Sequence, residues 1–384
     1  VTLTPRALNR ATLARQLLLA RIVVPGPDGV AETVRRVSAL QAQHPASPYV
    51  ALGNRVEGFD AADLDAAYAG RRLVRSTLLR ITLHTVHADD HRPFRAAMLP
   101  TLRAARLNDR RFTSTGFTAQ EADALVPGLL AFLAEPRRGE DVVAWIDERH
   151  PGHGKIAWWA LRHYGPFVHA PTDAPWSFGP RASWLPAPAH DGDDGDRDDL
   201  GPDDLDPDDA LPVLVRRYLA AFGPASVADV GQFLLVHRPR VRAAVAALGD
   251  DLVTLEGPDG TTLHDLPGAP RPAEDTPAPP RLLGMWDEVL LAHADRSRVV
   301  PPAYRKLVTR VNGDVLPTIL VDGYVTGVWR TVDGPDGSPL VEAHTFEPLA
   351  GDVWTALAGE AAGLLTLLGA RDPHPYRRYD RWWD

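Results

Sequence analysis

The chain of 384 residues contains no cysteine. That absence removes disulfides, thiolate nucleophiles, iron–sulfur clusters and cysteine-ligated zinc together. Lysine is nearly missing as well: all but two of the 41 basic residues are arginine, leaving Lys155 and Lys306 as the candidates for Schiff-base chemistry. No apolar run approaches the length needed to cross a bilayer, and arginines are spread through the amphipathic first twenty-one residues. There is no Walker-type or GxGxxG phosphate loop and no serine in a nucleophile elbow. His150 and His153 flank Pro151-Gly152 without a third ligand nearby, so a loop is the better reading than a metal site.

What is present is a soluble composition, 45% hydrophobic and 24% charged, long enough for two to four compact units. The net charge of −9 argues at first against a polyanionic partner. Its distribution removes the objection. Eleven aspartates and one arginine lie between Asp191 and Asp209, a local charge of −10 that leaves the rest of the chain at +1. The acidic run has no apolar period and reads as a solvated linker; its alternative is an internal mimic of DNA.

Helical spacing after Thr4-Pro5, a second helix over Glu32–Leu40 and a third capped by Asp60 precede two alternating runs, Leu73–Ser76 and Arg80–Val86. Three helices followed by a two-stranded wing is the winged-helix order, closed here by a helix from Asp89 to Arg106. A weaker copy runs from Thr118 to His169. A clear third copy follows the linker: Leu211–Phe222, Val227–Leu235 under a Ser226 cap, Arg238–Leu248, and a hairpin around Gly257–Gly260. Prolines over Arg271–Pro280 mark a second linker. Beyond it Val289–Leu291, Val308–Val311, Leu316–Val321 and Tyr324–Arg330 read as strands with Asn312-Gly313 and Asp322-Gly323 turns, before a last helix over Val353–Leu368. The expected architecture is therefore α+β: three tandem winged helices (1–112, 113–190 and 210–270), an acidic linker (191–209), and a β-rich, barrel-like C-terminal part (271–384).

The Gln41-Ala42-Gln43 run lies between a helix end and the helix-breaking Pro45 and Pro48. In extended chain, residues two apart face one side, so two neutral amides would point into one space. Spacing alone favours the other reading, in which the two residues cap a helix end. Amides are poor bases. They suit a reaction whose leaving group is already primed, such as a purine made cationic by alkylation at N7. There, carbonyl oxygens beside the developing oxocarbenium sugar, holding one water, stabilise it without early proton removal. Asp287, Glu288 and Asp295 offer carboxylates for acid–base work or for ordinary ion pairs, and His84 reads as a hydrogen-bonded structural histidine.

Ala7-Leu8-Asn9-Arg10, Leu40-Gln41-Ala42-Gln43 with Pro45 and Pro48, and Arg80–His84 recur as a set with Trp286-Asp287 and Asp295–Arg298. Asn312–Pro317, Val321–Gly323 and Gly327–Arg330 complete it. Together, over nearly the whole chain, they resemble the actinobacterial winged-helix DNA glycosylases typified by AlkZ. The resemblance implies three tandem winged helices around a DNA channel and a catalytic glutamine–hydrophobic–glutamine element falling on Gln41, Ala42 and Gln43. A sister branch typified by YcaQ has aspartate at the second glutamine, and this chain does not. It further implies a monofunctional enzyme that excises bulky N7-alkylpurines and unhooks interstrand crosslinks, in self-resistance to a genotoxic natural product. No cofactor or metal is expected. Arg80, Arg296, Arg298 and Arg330 are the expected phosphate contacts. The expected partner is adducted duplex DNA and the expected state a cytoplasmic, nucleoid-associated monomer away from membranes. The competing reading is a non-enzymatic winged-helix DNA-binding protein, a regulator or lesion-sequestering factor.

Overall fold

The computed structural model describes residues 2–188 and 205–382, so most of the acidic run lies outside the described residues. Its architecture is mixed α/β, with three helix-rich stretches, each followed by short antiparallel strands, and a terminal sheet.

In the first stretch α1 (Pro5–Arg15) starts as expected, with the Thr4 hydroxyl accepting from the Ala7 N–H. The second helix differs from the expectation: α2 spans Gly26–Arg36, and Ser38 turns the chain at φ 77°. Leu40-Gln41 is therefore a strand, β1, rather than a helix end. Pro48 does not break helix either. It occupies the first turn of α3 (Ser47–Gly53), where its missing N–H costs nothing. After α4 (Ala61–Ala69), capped by Asp60, come β2 (Leu73–Thr77) and β3 (Leu83–His87). β1 adds to the far side of β3, giving the order β1-β3-β2. α5 (Ala88–Leu107) follows.

The second stretch comprises α6 (Arg110–Thr113), α7 (Ala119–Ala124) and α8 (Val126–Phe132), then β4 (Arg137–Arg138), α9 (Gly139–Asp147), α10 (Gly154–Tyr164), β5 (Phe167–Ala170) and β6 (Ser183–Pro186). Pro127, in the first turn of α8, marks the break between α7 and α8. His150 and His153 pack their rings on Phe117, in keeping with a structural loop. The third stretch begins earlier than its expected boundary. Asp206 caps α11 (Pro207–Phe222), so Asp208 and Asp209 belong to a first turn, where carboxylates favour the helix dipole. α12 (Val227–Leu234), α13 (Arg238–Leu248), β7 (Val253–Glu256) and β8 (Thr262–Asp265) follow, with the capping box at Ser226.

The C-terminal part departs most from expectation. β9 (Arg281–Leu283), short helix α14 (Arg305–Val308), β10 (Thr318–Val321), β11 (Tyr324–Asp333) and β12 (Pro339–Thr345) precede α15 (Gly351–Gly369). The four strands form an open sheet in the order β12-β11-β10-β9; among the described residues no barrel closes. Glu288–Leu290 is a 3₁₀ turn rather than a strand, since Asp287 accepts from the Val289 N–H and caps it. The expected strand at Val308–Val311 is the end of α14 and a single bridge from Thr309 to Val315.

Two apolar cores result. One joins α5 to the second and third stretches; the other joins the first stretch to the terminal sheet. Buried ion pairs cross between regions distant in sequence. Arg55 bonds both oxygens of Asp287 at 2.9 Å, and Arg15 bonds Asp265 at 2.7 and 2.9 Å. Asn9 and Arg10 of α1 hold the Asp322-Gly323 turn, and a Cβ at Gly323 would sit 2.5 Å from Leu13 and 2.6 Å from Asn9. With φ at +79°, only glycine suits that turn. No helix among the described residues is long and apolar enough to cross a membrane.

Candidate active site

β1 delivers the Gln-Ala-Gln run. Gln41 lies opposite His84 in the antiparallel register, and Ala42 continues the ladder by donating to the Leu83 carbonyl at 2.7 Å. Ala42 is wholly buried, so alternation turns the flanking glutamines away from the core that takes its methyl group. Their surroundings differ. Gln41 is 5% exposed, whereas Gln43 stands in solvent. The Gln41 carbonyl accepts from the Gln43 N–H at 3.0 Å, and the Gln43 carbonyl approaches the Leu83 N–H at 3.4 Å. The run is thus an extended shelf with one amide inside and one at the rim.

Two buried groups support the shelf. Arg75 on β2 donates through Nε and Nη2 to the Ala42 carbonyl, at 3.1 and 2.9 Å, and lies over the Phe178 ring. No described carboxylate pairs with it, and burial pushes its guanidinium down to about 10. It remains a cation at neutral pH, held by a carbonyl dipole and a ring face. On the other side is Glu288, 2% exposed. Its Oε2 accepts from Arg80 at 2.7 Å, and its Oε1 lies 2.9 Å from His84 Nε2. Burial would push this carboxyl up, but the Arg80 charge and the His84 ring outweigh it and hold the group below its ordinary value. His84 is wholly buried, with Nδ1 2.9 Å from the Thr82 carbonyl. A cavity of about 10 Å³ lies among Leu40, Gln41, Ser47, Asp287 and Glu288. His44, beside Gln43, is pushed down to about 4, mainly by burial with help from Arg378.

The four expected phosphate contacts are not brought together on one open face. Arg80 is committed to Glu288 and stacks on Phe233. Arg298 donates to the Pro224 carbonyl at 2.8 Å and reaches Thr12 at 3.4 Å, inside the junction with α1. Arg330 pairs with Glu342 at 2.5 Å across β11 and β12. Arg296 is half-buried and pushed down to about 10, chiefly by burial and then by the Arg80 and Arg305 charges; Arg305 itself is exposed. A cleft of about 1430 Å³ opens elsewhere, between α4, α15 and the Pro171–Ser177 loop, and neither glutamine lines it.

Sequence reading missed Arg75 and the burial of Glu288. Arg75 sits in an alternating run that promised one wet face, yet all of β2 is buried. Glu288 carried one usable signal, its place beside Asp287 in a set that also contains Arg80 and His84.

The model of the family described as "DNA glycosylase AlkZ-like" matches residues 34–367. A Streptomyces sahachiroi protein named interstrand DNA cross-link repair glycosylase is 26% identical over 325 residues, 79% of this chain and 82% of the relative. The solved structure of Streptomyces sahachiroi DNA glycosylase AlkZ shares the fold, with a TM-score of 0.76 at 22% identity, covering 97% of this chain and 99% of that one.

Proposed function

The chain belongs to the AlkZ-like DNA glycosylase family, and from that premise we propose that it excises bulky N7-alkylated purines and unhooks interstrand crosslinks. The relative named for interstrand cross-link repair supports the crosslink as substrate. The observation that carries the chemistry is the neutral shelf: Gln41 buried and hydrogen-bonded, Gln43 in solvent, and no carboxylate in the run itself. A neutral pair suits a purine already cationic at N7. The bond from C1′ to N9 breaks with its electrons going to the base, which becomes neutral. Water then adds to C1′ and gives up a proton to solvent. The glutamine carbonyls face the developing sugar cation and hold that water. The reaction leaves an abasic site without a lyase step, in keeping with the scarcity of lysine.

In this reading the three helix–hairpin stretches act as tandem winged helices on duplex DNA, within the proposed units 1–112, 113–190 and 210–270, with the sheet of 271–384 packed on the first. Gln43 at the rim meets the lesion, and phosphate contact falls to Arg296 with exposed Arg305, while Arg80, Arg298 and Arg330 act through internal partners. The protein works as a monomer, close to the nucleoid, since three wings in one chain need no dimer symmetry. Incubation with duplexes carrying N7-alkylguanine or an N7-linked crosslink should yield alkali-labile abasic sites. Intact strands after alkali, across several such adducts, would overturn the proposal.

A further inference from the structure

The Glu288 carboxylate is buried and shares a wall with Gln41. The cavity between them measures about 10 Å³, close to the smallest space that accommodates a water molecule. Its walls are polar enough for one: Gln41, Ser47, Asp287 and Glu288 all contribute. Asp287 is taken up by Arg55, and the Ser47 hydroxyl by Tyr376 at 3.1 Å. Glu288 Oε1 has the His84 ring at 2.9 Å, and a carboxylate oxygen keeps a second lone pair.

The backbone spends strain to assemble this corner. Arg80 and Ile81 stand at φ 52° and 60°, and Trp286, two residues before Glu288, at φ 56°. Left-handed conformations are costly for such side chains, above all for a β-branched isoleucine. What the turn achieves is the Arg80–Glu288 bond at 2.7 Å directly behind β1.

We propose that the cavity holds one ordered water bridging the Glu288 carboxylate and the Gln41 amide, which makes Glu288 the positioning residue that sets which way that amide faces. This role for Glu288 presupposes that Gln41 is catalytic. An ionised carboxylate accepts and never donates, so the water donates one hydrogen bond to it and keeps a lone pair for Gln41, whose carbonyl is already occupied by the Gln43 N–H. The Gln41 NH2 group answers that lone pair. That contact locks the carbonyl in the opposite direction, where it already accepts from the Gln43 N–H at 3.0 Å and where the sugar cation of the proposed reaction would sit. A neutral amide at position 288 could donate to the water, reverse it and release the Gln41 amide to flip.

Two measurements test this. Single-turnover excision of N7-methylguanine from a duplex should slow roughly 10- to 100-fold in Glu288→Gln, with the dissociation constant for the same duplex changed by less than about twofold. Because Glu288 acts through Gln41, the Gln41→Ala and Glu288→Gln double variant should be no slower than Gln41→Ala. A wild-type rate in Glu288→Gln beside a slow Gln41→Ala would refute the positioning role, as would additive losses in the double variant. A wild-type rate in Gln41→Ala would instead remove the catalytic reading of the glutamine. The second measurement needs no variant: a high-resolution crystal structure of the protein should show one water within hydrogen-bonding distance of both side chains, and an empty cavity there would contradict the proposal even if Glu288→Gln does not fold.

Discussion

The first and third stretches both close their helices with an antiparallel strand pair, β2–β3 and β7–β8, set in different environments. β2 is buried along its whole length and β3 gains a third strand, β1, which carries the glutamines. β7 pairs with β8, takes a single bridge from Thr2 to Glu256, and exposes Thr254 and Glu256. A helix-rich stretch closed by a strand pair thus gives a clamped platform in one place and a hairpin with a wet face in the other. The difference teaches where precision is located. The strand that carries the glutamines is held by buried charge on both sides, Arg75 and Glu288, whereas the outward residues of β7 stand in solvent.

The largest effect expected from breaking the contrast is at the clamp. Asp287→Ala strands the Arg55 guanidinium in the core and should cost about 3–5 kcal/mol, read as a fall in midpoint in denaturant titration. A loss below about 1 kcal/mol would mean water or another acceptor reaches Arg55 easily. Acid should act on the same side. His44 is pushed down to about 4 and His91, bonded to Ser76 of β2, to about 3, both chiefly by burial. Each stays neutral in the folded chain but charges near its ordinary value when unfolded. Their contribution is therefore whole above about pH 6.5 and is lost as pH falls toward 4. Thermal unfolding from pH 7 to 4.5 should show a steadily falling midpoint; a flat profile would contradict the burial assigned to these rings.

The shelf itself is sharpened by Arg75→Ala, which leaves the Ala42 carbonyl without either donor. Excision should drop roughly 10- to 100-fold, with duplex affinity nearly unchanged, in a single-turnover assay paired with a binding titration. The smallest effects compare the two hairpins directly. Thr85→Ala in β3 removes the partner of the buried Tyr68 hydroxyl, 2.6 Å away, and should cost about 1–3 kcal/mol. Thr254→Ala on the exposed face of β7 should cost about 0.5 kcal/mol or less. Equal costs in chemical denaturation would dissolve the contrast between platform and wet hairpin.

Periodicity and caps made much of the architecture legible. Thr4, Asp60 and Ser226 mark helix starts that the structure keeps, and the third stretch follows its expected order closely. The failures share a cause: local pattern is blind to what arrives from far away. Leu40-Gln41 becomes a strand because β3 offers an edge, and Val289-Leu290 becomes a turn because Asp287 caps it. β9 directly follows the proline-rich stretch and β12 lies in a short alternating run, and with both passed over the open sheet read as barrel-like. At the site, Gln41 and Gln43 could be singled out by spacing, but their unequal exposure could not. It depends on Arg75 and Glu288, which lie 33 residues after Ala42 and 204 residues after His84.

The glutamine shelf is where the proposed chemistry stands or falls, and one measurement bears on it most directly. The Gln41→Ala, Gln43→Ala double variant should be assayed against wild type for abasic-site formation from a duplex bearing a single N7-alkylguanine, under single-turnover conditions. Duplex affinity should be measured in parallel. The prediction is a rate reduced about 100-fold or more with affinity held within about twofold. Excision at the wild-type rate by the double variant would contradict the account and move the chemistry to another part of the molecule.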